Sequence, residues 1–148
     1  MKISYQLYLA KHDDIDDWMN LVKEAADNFP GLEINKYLKI LIKNIDRQTA
    51  ICVRHQDAIV GVLLFSVNSK CLSCMAVHPS HRQQRIASAM VEKMVSLFPD
   101  HCEIWVSTFR ESDPKGIAPR ALYKKYGFIE DELTIEHGYP NQKFVLRK

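Results

Sequence analysis

No run of the sequence approaches the ~18 consecutive apolar residues that a membrane-spanning helix needs, so no membrane partner is expected. No secretory leader is expected either. Met1–Lys11 carries Lys2 near its start, but Ser4 and Gln6 break its apolar run and no small-residue cleavage site follows. Excess charge of either sign is absent: 20 Lys and Arg stand against 18 Asp and Glu, a net +2, with basic and acidic residues interspersed. Nucleic acid is therefore not an expected partner. Loop cysteines of a disulfide framework are also lacking. Cys52, Cys71, Cys74 and Cys102 sit in apolar or strand-like runs, which predicts reduced, buried thiols in a cytoplasmic protein. Repeats, low-complexity tracts and linkers do not occur. What remains is 148 residues, 47% apolar and 26% charged, enough for one globular domain over 1–148 with its own core.

The apolar residues change period along the chain. Ile3–Leu9 alternates as a first strand. Asp13 or Asp14 can cap a helix carrying Ile15, Trp18, Met19, Val22, Ala25 and Ala26 at three–four spacing, with Asp16 and Asp17 at its positive end. Asn28-Phe29-Pro30-Gly31 ends it, and a second helix from Ile34 places Leu38, Leu41, Ile42 and Ile45 on one face. Ala50–His55 and Ala58–Val67 form a hairpin about Gln56-Asp57. A strand at Cys71–Val77 follows the Asn68-Ser69 turn and stops at Pro79. Next come a helix bearing Ile86, Met90, Met94 and Leu97, a strand at Glu103–Ser107 and the loop Asp113-Pro114-Lys115-Gly116. A short helix at about Pro119–Tyr126 has Pro in its first turn and Gly127 past its end. Phe128–Ile135 and Lys143–Arg147 read as strands on either side of a His137–Asn141 turn. The predicted order is β-α-α-β-β-β-α-β-α-β-β, an α+β domain with a mixed sheet.

Two segments carry chemistry. The first runs Val77-His78-Pro79-Ser80-His81-Arg82-Gln83-Gln84-Arg85-Ile86-Ala87-Ser88, a strand passing through a basic turn into a helix. A helix start offers N–H groups with no helical partner and a positive dipole end, a natural phosphate site. Small Ala87 and Ser88 allow close approach, and Arg82 and Arg85 can add charge. Alone, the segment fits an ordinary solvated turn equally well. The second is Leu122-Tyr123-Lys124-Lys125-Tyr126-Gly127-Phe128. Leu122 and Tyr126 share the helix's buried face, Tyr123 lies at its edge and able to point along the sheet, and Gly127 suits a left-handed helix end.

The first segment resembles the acyl-CoA signature of the GNAT superfamily of N-acetyltransferases, Gln/Arg-x-x-Gly-x-Gly/Ala after a strand ending Val-x-Pro. Val77-His78-Pro79, Arg82 and Ala87 match it, while Arg85 stands where glycine is usual. An arginine there is expected to be helical, with negative φ and its side chain turned away from the cofactor. The second segment resembles the family's Leu-Tyr-x-Lys-x-Gly-Phe element. Both occur in the family's order and spacing.

The resemblance implies a GNAT-like, mostly antiparallel central sheet flanked by helices and an N-acetyltransferase that takes acetyl-CoA as acyl donor. Met75, Val77, Arg82, Gln83, Arg85, Ile86, Ala87, Ser88 and Tyr123 would hold the donor. A backbone amide near Met75–Val77 would stabilise the oxyanion as a primary amine attacks in a ternary complex, and Tyr123 would protonate the departing sulfur. The alternative is a catalytically silent GNAT-like domain that senses acyl-CoA. The partner is a small-molecule or peptide amine, with a homodimer left open. Phe29 and Tyr139 are candidates for lining the acceptor site. The family's asparagine six residues before Leu-Tyr is Gly116 here, which would remove one hydrogen bond to the donor. The family often puts a carboxylate or histidine on the strand corresponding to Cys71–Val77. This strand has neither, and no base is assigned, Glu103 reading as a solvated strand start. Cys71-x-x-Cys74 with His78 and His81 invites a zinc reading, but residues three apart on a strand face opposite ways, so no metal is expected.

Overall fold

The structure is a computed structural model in which residues 4–26, 29 and 31–148 are described. Its order is β1 (Gln6–Leu9), α1 (Ile15–Glu24), α2 (Ile34–Asp46), β2 (Ala50–His55), β3 (Ala58–Ser66), β4 (Cys71–Val77), α3 (Ile86–Leu97), β5 (Glu103–Phe109), α4 (Ile117–Lys125), β6 (Ile129–Glu136) and β7 (Tyr139–Arg147). This is the predicted succession. The seven strands form one sheet in the order β1-β2-β3-β4-β5-β7-β6, antiparallel at every step except β4–β5.

Helices cover both faces because each carries one apolar stripe. α1 buries Trp18, Met19, Leu21 and Val22, and α2 buries Tyr37, Leu41 and Ile45, all at helical spacing. They pack on Cys52, Ile59, Val62, Leu64 and Ala76 of β2–β4. On the other face Ile86, Met90, Val91 and Met94 of α3 pack with Ile51, Leu63, Phe65, Ile104, Val106 and Phe144. No residue of β5, β6 or β7 joins the α1/α2 core, so that half of the sheet is open on the α1/α2 side.

Several boundaries differ from expectation. β1 starts at Gln6 because its pairing with β2 runs only from Gln6↔Arg54 to Leu9↔Ile51; Ile3 lies outside the described residues, as do Asn28 and Pro30 of the predicted helix stop. The last turn shrinks to His137-Gly138, both with positive φ (+51° and +76°), as a two-residue hairpin requires. Tyr139, Pro140 and Asn141 therefore belong to β7, where the first two pair with β6, and β5 extends to Phe109 opposite Asn141. Ala26 and Leu97 are exposed rather than buried.

Asp14, one of the two expected caps, precedes α1, but its side chain does not cap that helix. Its side chain turns from α1 to take hydrogen bonds from the Lys11 N–H (2.9 Å), the Tyr8 hydroxyl (2.9 Å) and Arg54 (2.8 Å), while Arg54 also reaches Asp17 (2.9 Å). Burial disfavours the Asp14 carboxylate, but those donors hold its pKa below the ordinary carboxylate value.

Candidate functional site

The site is built around a gap between β4 and β5. These parallel neighbours pair only at Cys71↔Trp105 and Leu72↔Val106. Against β3, the register steps from Phe65↔Leu72 to Leu64↔Cys74, so Ser73 is an extra residue, a β-bulge. A bulge bends and twists its strand, and this one lies where β4 leaves β5. Beyond it the His78 N–H donates to the Val60 carbonyl at 2.8 Å. By the antiparallel alternation, Cys74 and Ala76 then turn their backbone groups to β3, whereas Met75 and Val77 present theirs to the gap.

The bulge corrects the stated reason against zinc. Cys71, opposite Ser66, and Cys74, opposite Leu64, lie on the same face. Among the described residues, no three His, Cys, Asp or Glu side chains gather as a metal site. Burial pushes the Cys74 thiol up to about 11 and raises that of Cys71, so neither supplies much thiolate at neutral pH.

After Val77 the chain makes a 3-10 turn at Pro79–His81 and enters α3 at Ile86. The start of α3 presses on β3: a Cβ added to Gly61 would stand 2.6 Å from Ile86 Cγ2. Joining β4 to a helix held there takes left-handed backbone at Gln83 (φ +63°) and Arg85 (φ +61°, ψ +22°). The expected negative φ at Arg85 is thus overturned. Arg85 holds a conformation that costs an L-residue about 1–2 kcal/mol and glycine little. No side chain caps α3, and its first backbone bond is Ala89 N–H to the Arg85 carbonyl at 3.0 Å. The amides of Ile86, Ala87 and Ser88 are left without partners. Ile86 buries its side chain, Ala87 and Ser88 are half-buried, and Arg82, Gln83 and Arg85 are exposed.

The turn is braced from behind. His78 Nδ1 accepts from the Ser80 N–H at 3.1 Å while its Nε2 meets Glu24 at 2.6 Å. His81 Nδ1 lies 3.1 Å from the Tyr5 hydroxyl. Burial, then His55 and His78 nearby, lower the pKa of His81.

Tyr123 departs from its expected place at the rim. It is buried, 4% exposed, while Leu122 and Tyr126 are half-buried. Its ring packs against Phe128 (5.6 Å between centroids) and Phe144 (6.1 Å), and α4 ends at Gly127 (φ +92°) as the turn residue predicts. Burial first, then Cys74 across the gap, drive its pKa above that of a free phenol, so the hydroxyl is protonated at neutral pH. On the far side of the gap, Tyr37 lies 3.6 Å from Cys74 Sγ and accepts from Trp18 Nε1 at 3.0 Å. The sequence reading passed over Tyr37, although it stands four residues before Leu41 on the same apolar stripe.

Of the two acceptor-site candidates, Phe29 stacks edge-on against Tyr37 (5.6 Å). Tyr139 lies on the open side of β7, its ring against Phe109 (5.7 Å) and its hydroxyl donating to Asp113 at 2.6 Å. They do not touch each other; one belongs to the α2 side of the gap and the other to the hairpin side. Glu103 is exposed at the start of β5, 3.8 Å from Arg147.

The sequence pattern of the acetyltransferase (GNAT) domain matches residues 46–130, more than half of the chain and all of the gap and turn. The chain belongs to the GNAT acetyltransferase family. Solved GNAT structures share its fold along nearly the whole chain. A GNAT acetyltransferase from Bacillus cereus is 23% identical with a TM-score of 0.78, covering 98% of each chain. The ribosomal-protein-S18-alanine N-acetyltransferase of Escherichia coli is 15% identical with a TM-score of 0.76, covering 97% of this chain and 94% of its own. A Salmonella typhimurium protein solved with acetyl-CoA is 10% identical with a TM-score of 0.73, covering 97% and 93%. No curated protein sequence matches the chain.

Within this GNAT domain the unpartnered groups fit an acyl-CoA donor. Backbone of Met75 and Val77 faces the gap, and the free amides of Ile86–Ser88 form an anion cradle at the end of the same strand. The missing asparagine also has a structural reason. A Cβ on Gly116 would stand 3.1 Å from the Arg110 carbonyl oxygen, Phe109 Cβ and Arg120 Cδ, so a side chain enters only at the expense of small shifts in all three. Among the described residues, no helix is long and apolar enough to cross a membrane.

Proposed function

We propose that the chain transfers an acetyl group from acetyl-CoA to a primary amine by direct attack in a ternary complex. The observation that carries this reading is the bulge at Ser73, which opens β4 from β5 and leaves the backbone of Met75 and Val77 unpaired beside the buried Tyr123. Acetyl-CoA supplies the activated thioester. Met75 and Val77 bind its extended arm as a missing strand would, and a gap-facing amide of β4 stabilises the oxyanion. The amides of Ile86, Ala87 and Ser88 take the pyrophosphate, with Arg82, Gln83 and Arg85 contributing from the exposed turn. Tyr123, held protonated, gives its proton to the departing sulfur. The four cysteines are free thiols, which fits a reducing compartment such as the cytoplasm.

The test is acetyl-CoA binding, read as a rise in melting temperature, followed by transfer to a panel of amines. Tyr123→Phe should lower kcat by about 10²–10⁴-fold with the acetyl-CoA shift unchanged; an unchanged kcat removes Tyr123 from this role. A sensor that binds acyl-CoA without turnover is favoured by one observation, the lack of a carboxylate or histidine anywhere on β4. Donor binding with no transfer to any amine would select it.

A further inference from the structure

An amine of pKa about 10, such as that of lysine, is an ammonium ion at neutral pH. Before it can attack it must lose a proton, and β4 carries no group to receive one. The structure brings one from elsewhere. Trp105, Ser107 and Phe109 alternate with the core residues Ile104 and Val106, so they face the open side of the sheet. Ser107 follows Val106, the last β5 residue paired with β4, and so stands at the mouth of the gap. Its hydroxyl donates to Glu136 Oε1 at 2.8 Å, although Glu136 belongs to the edge strand β6, two places away in the sheet. The hairpin curls over to make this contact. A Cβ on Gly31 would lie 3.8 Å from His137 Cβ, so the residue after Glu136 rests beside Gly31. Cys71, at the other side of the gap's mouth, feels the same carboxylate: burial and then Glu136 raise its pKa.

Building on the acetyl-transfer reading above, we propose that Glu136 is the general base for the acceptor amine, and that the acceptor is a cationic primary amine reaching the open face of β5 beside Ser107. Ser107 holds one carboxylate oxygen and leaves the other free for the ammonium. Titratable groups on this side include Cys71 on β4, which feels the charge of Glu136, His137 next to Glu136 in the chain and Lys143, whose Nζ sits 5.2 Å from the Trp105 ring centre. The ammonium gives one proton to Glu136, which releases it to solvent. The free amine attacks the carbonyl carbon; the C–N bond forms and the C–S bond breaks. Nitrogen sheds a second proton, which replaces the one Tyr123 gives to sulfur, so the products are the N-acetyl amide, the CoA thiol and one proton.

The experiment compares Glu136→Gln with the wild-type full chain across pH 6–10 on a panel of primary amines, with acetyl-CoA binding followed by melting temperature. The expected result is an unchanged acetyl-CoA shift and a kcat/KM lowered about 10²–10⁴-fold at neutral pH. The variant's rate should climb with pH toward the pKa of the amine, because only amine already free can react. Ser107→Ala should fall less and keep the wild-type profile. Wild-type kcat/KM and pH profile in Glu136→Gln, with an active wild type, overturn the assignment of Glu136 alone. A wild type that binds acetyl-CoA but acetylates no amine overturns the transfer reading and the role of Glu136 with it.

Discussion

Arg85 offers the sharpest test of the donor turn, because its backbone and its side chain predict different things. At φ +61° and ψ +22° the residue sits in the left-handed region, where a Cβ costs about 1–2 kcal/mol. Arg85→Gly removes that cost. It also gives the unfolded chain more freedom, a loss of about 0.5–1 kcal/mol. The net is a gain of about 0.5–1 kcal/mol, or a rise of about 1–4 °C in Tm for a domain of this size. Arg85→Ala is the control. It removes the same guanidinium but keeps the Cβ, so it gains none of that relief and should melt below the glycine variant by the same margin of about 1–4 °C. Both measurements need only thermal denaturation without ligand. Acetyl-CoA titration then separates backbone from charge. If the amides of Ile86–Ser88 dominate, Arg85→Gly binds acetyl-CoA within a few-fold of the wild type, and its binding weakens less steeply with salt. An alanine variant as stable as the glycine variant would refute the strain argument. A glycine variant that loses acetyl-CoA binding would refute the primacy of the amides.

Two further expectations concern the frame of the site. Asp14→Asn removes a carboxylate that is only 10% exposed from Arg54 and should cost about 2–3 kcal/mol, since the guanidinium keeps Asp17 and Tyr8. Because the folded pKa of Asp14 is depressed, its contribution is complete above the unfolded value of about 3.9 and is lost as pH falls through the lower folded value; acid melts of Asp14→Asn should lack that limb. Gly116→Asn tests whether the family's asparagine was dropped for want of space. Contacts of 3.1 Å on three sides predict a destabilisation of about 1–3 kcal/mol, with no gain in acetyl-CoA affinity by calorimetry.

The order of elements was legible because it depends on local period and punctuation. Gly127, Pro79 and the stripe from Trp18 to Val22 act within a few residues of themselves. What the sequence hid depends on register. Ser73 looks like any polar strand residue, yet its lack of a partner on β3 opens the gap and moves Cys71 onto the face of Cys74. Tyr123 was read one step off because the helical wheel of α4 does not show where Phe128 and Phe144 will close over it. Arg85 was misjudged in φ because the path of the turn is fixed by the approach of Ile86 to Gly61, far back along the chain. Glu136 was invisible for a similar reason. Its neighbour is Ser107, and only the curl of the hairpin joins them.

The two rungs between β4 and β5 have a mechanical consequence. β1–β4 and β5–β7–β6 share one core beneath α3, but the sheet itself joins them only by the short run Cys71–Leu72 against Trp105–Val106. An extended molecule lying along Met75 and Val77 would add the rungs this seam lacks. The seam in the sheet is then closed along its length when the gap is filled and open when it empties, while the core beneath α3 holds the two halves together in either state.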